Sequence, residues 1–144
     1  MEPKAFLDLA QKLSKEEKDE ASLRSSVSRA YYALFNSMAK FVRENVEKLS
    51  RTAKDHDTIY KYFHNCGMSN LAEIATSLSD LRNERNDSDY DLELDKFKNP
   101  NNVVLLFAKA KIAFNSFEKI TNNQNNRAQI ISGIREYKNS ISPH

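Results

Sequence analysis

"DEASLRSSVSRAYYALFNSMAKFVRENVEKL", residues 19–49, decides the fold class of this chain. It contains neither glycine nor proline, and Leu23, Val27, Ala30, Leu34, Met38, Phe41 and Val42 recur at the three-to-four spacing of one helical face. The stretch therefore reads as the longest helix of the molecule. Its other faces carry Ser25, Ser28, Arg29, Tyr32 and Asn36 among small and aromatic neighbours, where a solvated surface would show a mixture of lysine and glutamate.

Helical periodicity continues on both sides. Phe6, Leu9, Ala10 and Leu13 predict a short amphipathic helix over residues 4–14, packed as a lid or edge. After "SRTAKD" a third helix runs through Ile59 and Phe63, and Gly67 supplies the left-handed turn that ends helices. Ser69 reads as the N-cap of a fourth helix carrying Leu71, Ile74, Ala75, Leu78 and Leu81. Polar "NDSDYDLELDKFKNP", residues 86–100, reads as a connection, closed by Asn99 as N-cap and Pro100 at the first helical position. Val103, Val104, Phe107, Ala110 or Lys111, Phe114 and Phe117 give the fifth helix a broad apolar face. "TNNQNN" at 121–126 reads as a polar linker, followed by a short helical tail on Ile130, Ile131, Ile134 and Tyr137. Gly133 weakens that tail by about 1 kcal/mol relative to alanine. The expected architecture is all-α: an up-and-down bundle of four main helices with shorter terminal ones, residues 1–121 forming the bundle and 122–144 the linker and tail.

Bulk composition narrows the function classes. Only two glycines and three prolines among 144 residues argue against a turn-rich β protein, and 40% hydrophobic residues argue against disorder. The balance of 22 Lys+Arg against 20 Asp+Glu is too mild to imply nucleic acid by charge alone, so any such site must be local. A single cysteine, Cys66, excludes an internal disulfide and a cysteine-based zinc site. With no apolar run of signal-peptide or membrane-spanning length, the expectation is a soluble cytoplasmic protein without metal or cofactor.

"LRNERNDSDYDL", residues 81–92, breaks the apolar pattern of the fourth helix with two arginines. A residue seven positions on returns to within about 20° of the same direction, so Arg85 points where Leu78 points, and Arg82 lies about 40° to the other side. Burying an unpaired guanidinium costs several kcal/mol, which leaves acidic partners, an aqueous cleft or an anionic ligand as resolutions. Asp87, Asp89 and Asp91 are at hand for the first, and Arg29, Tyr31 and Tyr32 of "SRAYYALFN" (28–36) suit the others, since rings stack on bases while arginine grips phosphate.

These two stretches together resemble the HEPN family, the higher eukaryote and prokaryote nucleotide-binding domains, over residues 4–120. The resemblance implies a helical bundle that pairs as a homodimer around a composite, metal-independent ribonuclease site, in a prokaryotic toxin-antitoxin or defence setting. Arg85 matches the family's motif arginine and Asn86 the polar residue after it. Where the motif histidine would fall, the chain has Tyr90, Asp91 and Leu92, as in a small stand-alone branch of the family; Asn36 stands where many of that branch carry histidine. The candidate catalytic residues are thus Arg85, Asn86, Asp89 and Tyr90, with Arg29, Tyr32, Asn36 and Arg82 binding RNA or nucleotide. Some members are partnered by a nucleotidyltransferase that modifies a tyrosine near the motif, here Tyr90.

Attack of a 2′-hydroxyl on its own phosphate needs a base and an acid as well as cations, and arginine serves only as cation. Tyr90 is a poor base, with a reference pKa of about 10, and nearby arginines depress the basicity of Asp89. His56 and His64, about 80° apart on the third helix, do not form a metal pair. Each reads as a single exposed or capping histidine, although either would complete a composite site across a dimer. Three functions stay open: a ribonuclease, a non-catalytic binding module acting with a partner, and a helical dimerisation domain whose arginines only make ion pairs.

Overall fold

The structure, a computed structural model, describes residues 1–142; His144 lies outside them. Six α-helices follow one another: α1 (Lys4–Lys15), α2 (Glu20–Asn45), α3 (Lys54–His64), α4 (Ser69–Tyr90), α5 (Pro100–Thr121) and α6 (Gln124–Ile141), with a 3-10 turn at Lys96–Lys98. The all-α class expected from periodicity is what the chain adopts. No helix among the described residues is long and apolar enough to cross a membrane.

Helix α2 is the axis of the bundle, touching α1, α3, α4 and α5. Asp19 caps it by accepting from Ser22 N at 3.1 Å. Ser26, Ser28 and Ser37 are buried while Ser25 is exposed; the small side chains let neighbouring helices come close, and Ser26 Oγ donates to the Ala10 carbonyl of α1 at 2.6 Å. Tyr31, Leu34, Met38, Phe63, Leu71, Leu78 and Phe117 are fully enclosed in the main core. Each such side chain contributes about 1.5–3 kcal/mol of burial.

Several boundaries differ from the expectation. The face of α1 that packs is Leu7, Ala10 and Ser14, while Leu9 faces water. Helix α2 stops at Asn45, before Leu49. Met68, not Ser69, is the N-cap of α4, with no side-chain bond to the helix. At its other end α4 runs through the supposed connection to Tyr90. The following segment is anchored by Phe97, fully buried in a second cluster with Leu23, Val27 and Val103. Of the two alternatives on α5, Ala110 is buried and Lys111 exposed. The asparagine-rich linker shrinks to Asn122 and Asn123, whose side chain accepts from Asn126 N at 2.9 Å and starts an 18-residue α6. Ile130 and Ile134 of α6 are buried in the main core. Gly133 lies against the backbone of Cys66, where a Cβ would overlap the carbonyl oxygen.

Candidate functional site

The end of α4 is fixed by an arginine from α2. Arg24 Nη1 donates to the carbonyls of Ser88 and Asp91, each at 3.0 Å, and Nη2 to that of Leu94 at 2.9 Å, while Nε meets Glu20 at 3.1 Å. The last carbonyls of a helix have no intrahelical partner and carry partial negative charge, so a guanidinium is well suited to them. Its plane also covers Phe97, 5.0 Å from the ring centroid. This clamp keeps α4 helical through Tyr90 and sets the direction of Arg85 and Arg82, about one and two turns earlier.

Between α2, the start of α3 and α4 lies a cleft of about 540 Å³, lined by Tyr32, Phe35, Asp55, His56, Arg82, Arg85 and Tyr90, with Arg43, Leu49, Arg51, Thr52 and Ala53 along the remaining wall. Arg85 is only 9% exposed. Its Cζ stands 5.5 Å from the ring centre of Tyr31 and 5.4 Å from that of Tyr32. Asp89, the only carboxylate within ion-pair distance of either guanidinium among the described residues, is 3.8 Å from Arg85 Nη1, too far for a hydrogen bond. The Nε atoms of both Arg82 and Arg85 are sealed from solvent without a hydrogen-bond partner.

His56 faces the same two arginines from α3. Its ring stacks on Phe35 with centroids 4.3 Å apart, and its Nδ1 is hydrogen-bonded to the hydroxyl of the enclosed Tyr31. Burial, reinforced by the positive charge of Arg82 and Arg85, lowers the His56 pKa below its ordinary value, with Asp55 pulling the other way. Burial likewise drives the Tyr31 hydroxyl upward, against the two arginines. Neither exposed nor capping, His56 departs from the sequence expectation. Its spacing contained the signal: it precedes Ile59 by three and Phe63 by seven, which places it on the buried face of α3.

The loop before α3 is bent around Asp55. One carboxylate oxygen accepts from Ser50 N at 3.0 Å and the other from Arg51 N at 2.8 Å. Burial disfavours the charged form, but these bonds and that from the Ser50 hydroxyl outweigh it and hold the Asp55 carboxyl below its usual range. Arg51 sits at φ 60°, a left-handed conformation that costs a non-glycine residue about 1–2 kcal/mol and that the Asp55 bonds offset.

Of the residues singled out from sequence, Tyr32, Arg82, Arg85 and Tyr90 line the cleft. Arg29 lies outside it, between Tyr32 and Phe6 of α1, 5.4 and 5.5 Å from their ring centres. Asn36 and Asn86 are half-buried away from the lining, and Asp89 accepts from Ser28 Oγ at 3.4 Å at the exposed end of α4. Phe35, Arg43, Arg51 and Asp55 were not anticipated. A larger groove, about 850 Å³ between α4 and α5, includes the exposed Leu105 and Ile112 but no comparable cluster of buried charge. No group of His, Cys, Asp or Glu among the described residues is placed to hold a metal ion. Comparison with models of protein families, with curated proteins and with solved structures finds no match to the chain.

Proposed function

We propose that the chain is a HEPN-like protein of a prokaryotic toxin-antitoxin or defence type, which holds a phosphodiester of RNA or a nucleotide in the arginine-lined cleft. The observation that carries this reading is the buried Arg85 guanidinium, stacked on two tyrosines yet with none of its nitrogens hydrogen-bonded among the described residues. A phosphate fits that deficit, because its oxygens accept from the planar fork in pairs and its charge balances the cation. The exposed Tyr90 offers a ring face for a base. Two copies would meet beside the cleft, where Tyr90 of its lining is 75% exposed and Leu92, two residues on in the chain, 71%. The family resemblance further supports metal-independent cleavage of RNA, for which the chain needs a proton carrier other than the missing motif histidine.

Titration of a fluorescent single-stranded oligoribonucleotide by anisotropy tests the reading. Wild-type affinity should fall with salt at a slope of about −0.7 per phosphate contact. Arg85→Met should bind at least about tenfold more weakly, the loss expected for one charge-assisted contact. Equal affinity of the two proteins refutes it.

The exposure of Tyr90 also favours a second reading, a non-catalytic module whose partner nucleotidyltransferase modifies that hydroxyl. Intact-mass analysis of the protein from its native cells should then show a nucleotidyl adduct that Tyr90→Phe lacks.

A further inference from the structure

The hydrogen on the His56 ring decides what kind of phosphate the cleft suits. Tyr31 is fully enclosed, and its hydroxyl has no acceptor other than His56 Nδ1 among the described residues, so it donates there. The hydrogen of the neutral ring is therefore on Nε2. That atom has no protein partner among the described residues and is not sealed from solvent, so the Nε2–H bond opens into the cleft that His56 lines. Burial, reinforced by Arg82 and Arg85, favours the neutral ring. Arg82, Arg85 and His56 are thus three sets of donors without an acceptor. The ring has no lone pair left to act as a base on whatever they hold.

The charges point the same way. Arg43, Arg51, Arg82 and Arg85 line the cleft with one carboxylate, Asp55, and a second, Asp89, stands 3.8 Å from Arg85. Four cations against two anions leave an excess of two positive charges. A phosphodiester inside a strand brings one negative charge and two free oxygens, whereas a phosphomonoester brings about 1.5–2 charges near neutrality and three oxygens. Arg85 is also deep, backed by the enclosed Tyr31, so a strand reaches it with an end more easily than with its continuous backbone. Building on the cleft as a phosphate site, we propose that its ligand is a phosphomonoester, the terminal phosphate of an RNA strand or of a mononucleotide, whose oxygens accept from Arg82, Arg85 and the Nε2–H of His56. The imidazole is then a neutral donor whose direction Tyr31 sets, and it helps to tell an end from a diester. Arg43 and Arg51, both exposed, are left for the part of the ligand nearer solvent. One copy of the chain supplies every one of these groups.

Competition against a fluorescent 5′-phosphorylated single-stranded oligoribonucleotide, read by anisotropy with unlabelled strands of one sequence, tests this. The 5′-phosphate strand should compete at least about tenfold better than the 5′-hydroxyl strand or the methyl ester of the 5′-phosphate, the difference expected for one charged contact. Equal competition by the three overturns the proposal, and the phosphate-binding reading then stands if Arg85→Met still binds weakly. Absence of binding by every strand overturns both. A 3′-phosphate strand and adenosine 5′-monophosphate separate the sources. A phosphorylated strand that outcompetes the mononucleotide supports the proposal with RNA ends as the ligand; equal competition by the mononucleotide supports it with free nucleotides. His56→Asn, whose amide oxygen can still accept from Tyr31, should lose about tenfold in affinity for the 5′-phosphate strand and less than about twofold for the 5′-hydroxyl strand. Equal losses on both strands, or none, overturn the role of His56. Should that variant melt early, nitrogen-15 NMR of the wild-type histidines decides: His56 should carry its hydrogen on Nε2, with a resonance that moves when the 5′-phosphate strand is added. A hydrogen on Nδ1, or an unmoved resonance, counts against the proposal.

Discussion

Arg85 packs its guanidinium against Tyr31 and Tyr32, contacts worth about 0.5–2 kcal/mol; with Asp89 3.8 Å away and partly solvated, these offset less than the several kcal/mol it costs to take a weakly paired cation out of water. Replacing it by a neutral side chain of similar length should therefore not weaken the fold. Arg85→Met is expected to gain about 1 kcal/mol in urea unfolding, a trade common where function rather than packing has kept a residue. A loss of about 2 kcal/mol or more would instead mark a structural strut. His56 gives a second handle. Its folded-state pKa lies below the ordinary 6.5, so between those two values the unfolded chain binds the extra proton and stability rises with pH. Wild type should thus lose stability as the pH falls below about 6.5, levelling once the folded-state histidine also protonates, and His56→Asn should lack that step. The inward direction of Arg85 could be read from its seven-residue offset to Leu78. The roles of Arg24 and Asp55 could not: each depends on backbone groups distant in sequence or on a loop conformation, and neither follows a helical period.

Helix ends and helix crossings tell a similar story. The run from Asn86 to Tyr90 is polar enough to pass for a loop. It is helical because Ser88 Oγ bonds back to the Arg85 carbonyl at 2.9 Å and Arg24 gathers the terminal carbonyls from another helix. Arg24→Met should cost about 2–4 kcal/mol, since several charge-assisted bonds disappear and buried carbonyls are left unpaired. Amide exchange should then rise first in residues 87–94. At the crossing of α6 with the end of α3, Gly133 fills a place that admits no side chain. By propensity, Gly133→Ala should stabilise α6 by about 1 kcal/mol. Overlap with the Cys66 carbonyl should reverse that sign, giving a net loss of about 1–3 kcal/mol in thermal or urea unfolding. Sequence periodicity finds the middles of such helices because burial repeats along them. Their ends and contact points answer to partners that the local pattern does not contain.

For the molecule as a whole, a net charge of +2 conceals an uneven distribution. Arg43, Arg51, Arg82 and Arg85 share the lining of one cleft, where Asp55 is turned to its own loop. The helical class and the central place of residues 19–49 were legible because an uninterrupted apolar stripe has few ways to be buried. The cleft was legible only in half. Arg82, Arg85 and Tyr32 stood out as polar or aromatic intrusions on packing faces, whereas His56 and the loop at 49–53 join them only when α3 folds back on α4. The most direct test of this account is a melting experiment on wild type and Arg85→Met, with and without a single-stranded oligoribonucleotide at about 100 times its wild-type Kd. Binding to the native state alone should stabilise wild type by about 2.7 kcal/mol, while Arg85→Met starts out more stable and shifts by less than about half as much. Equal shifts in both proteins, or none in either, would contradict it.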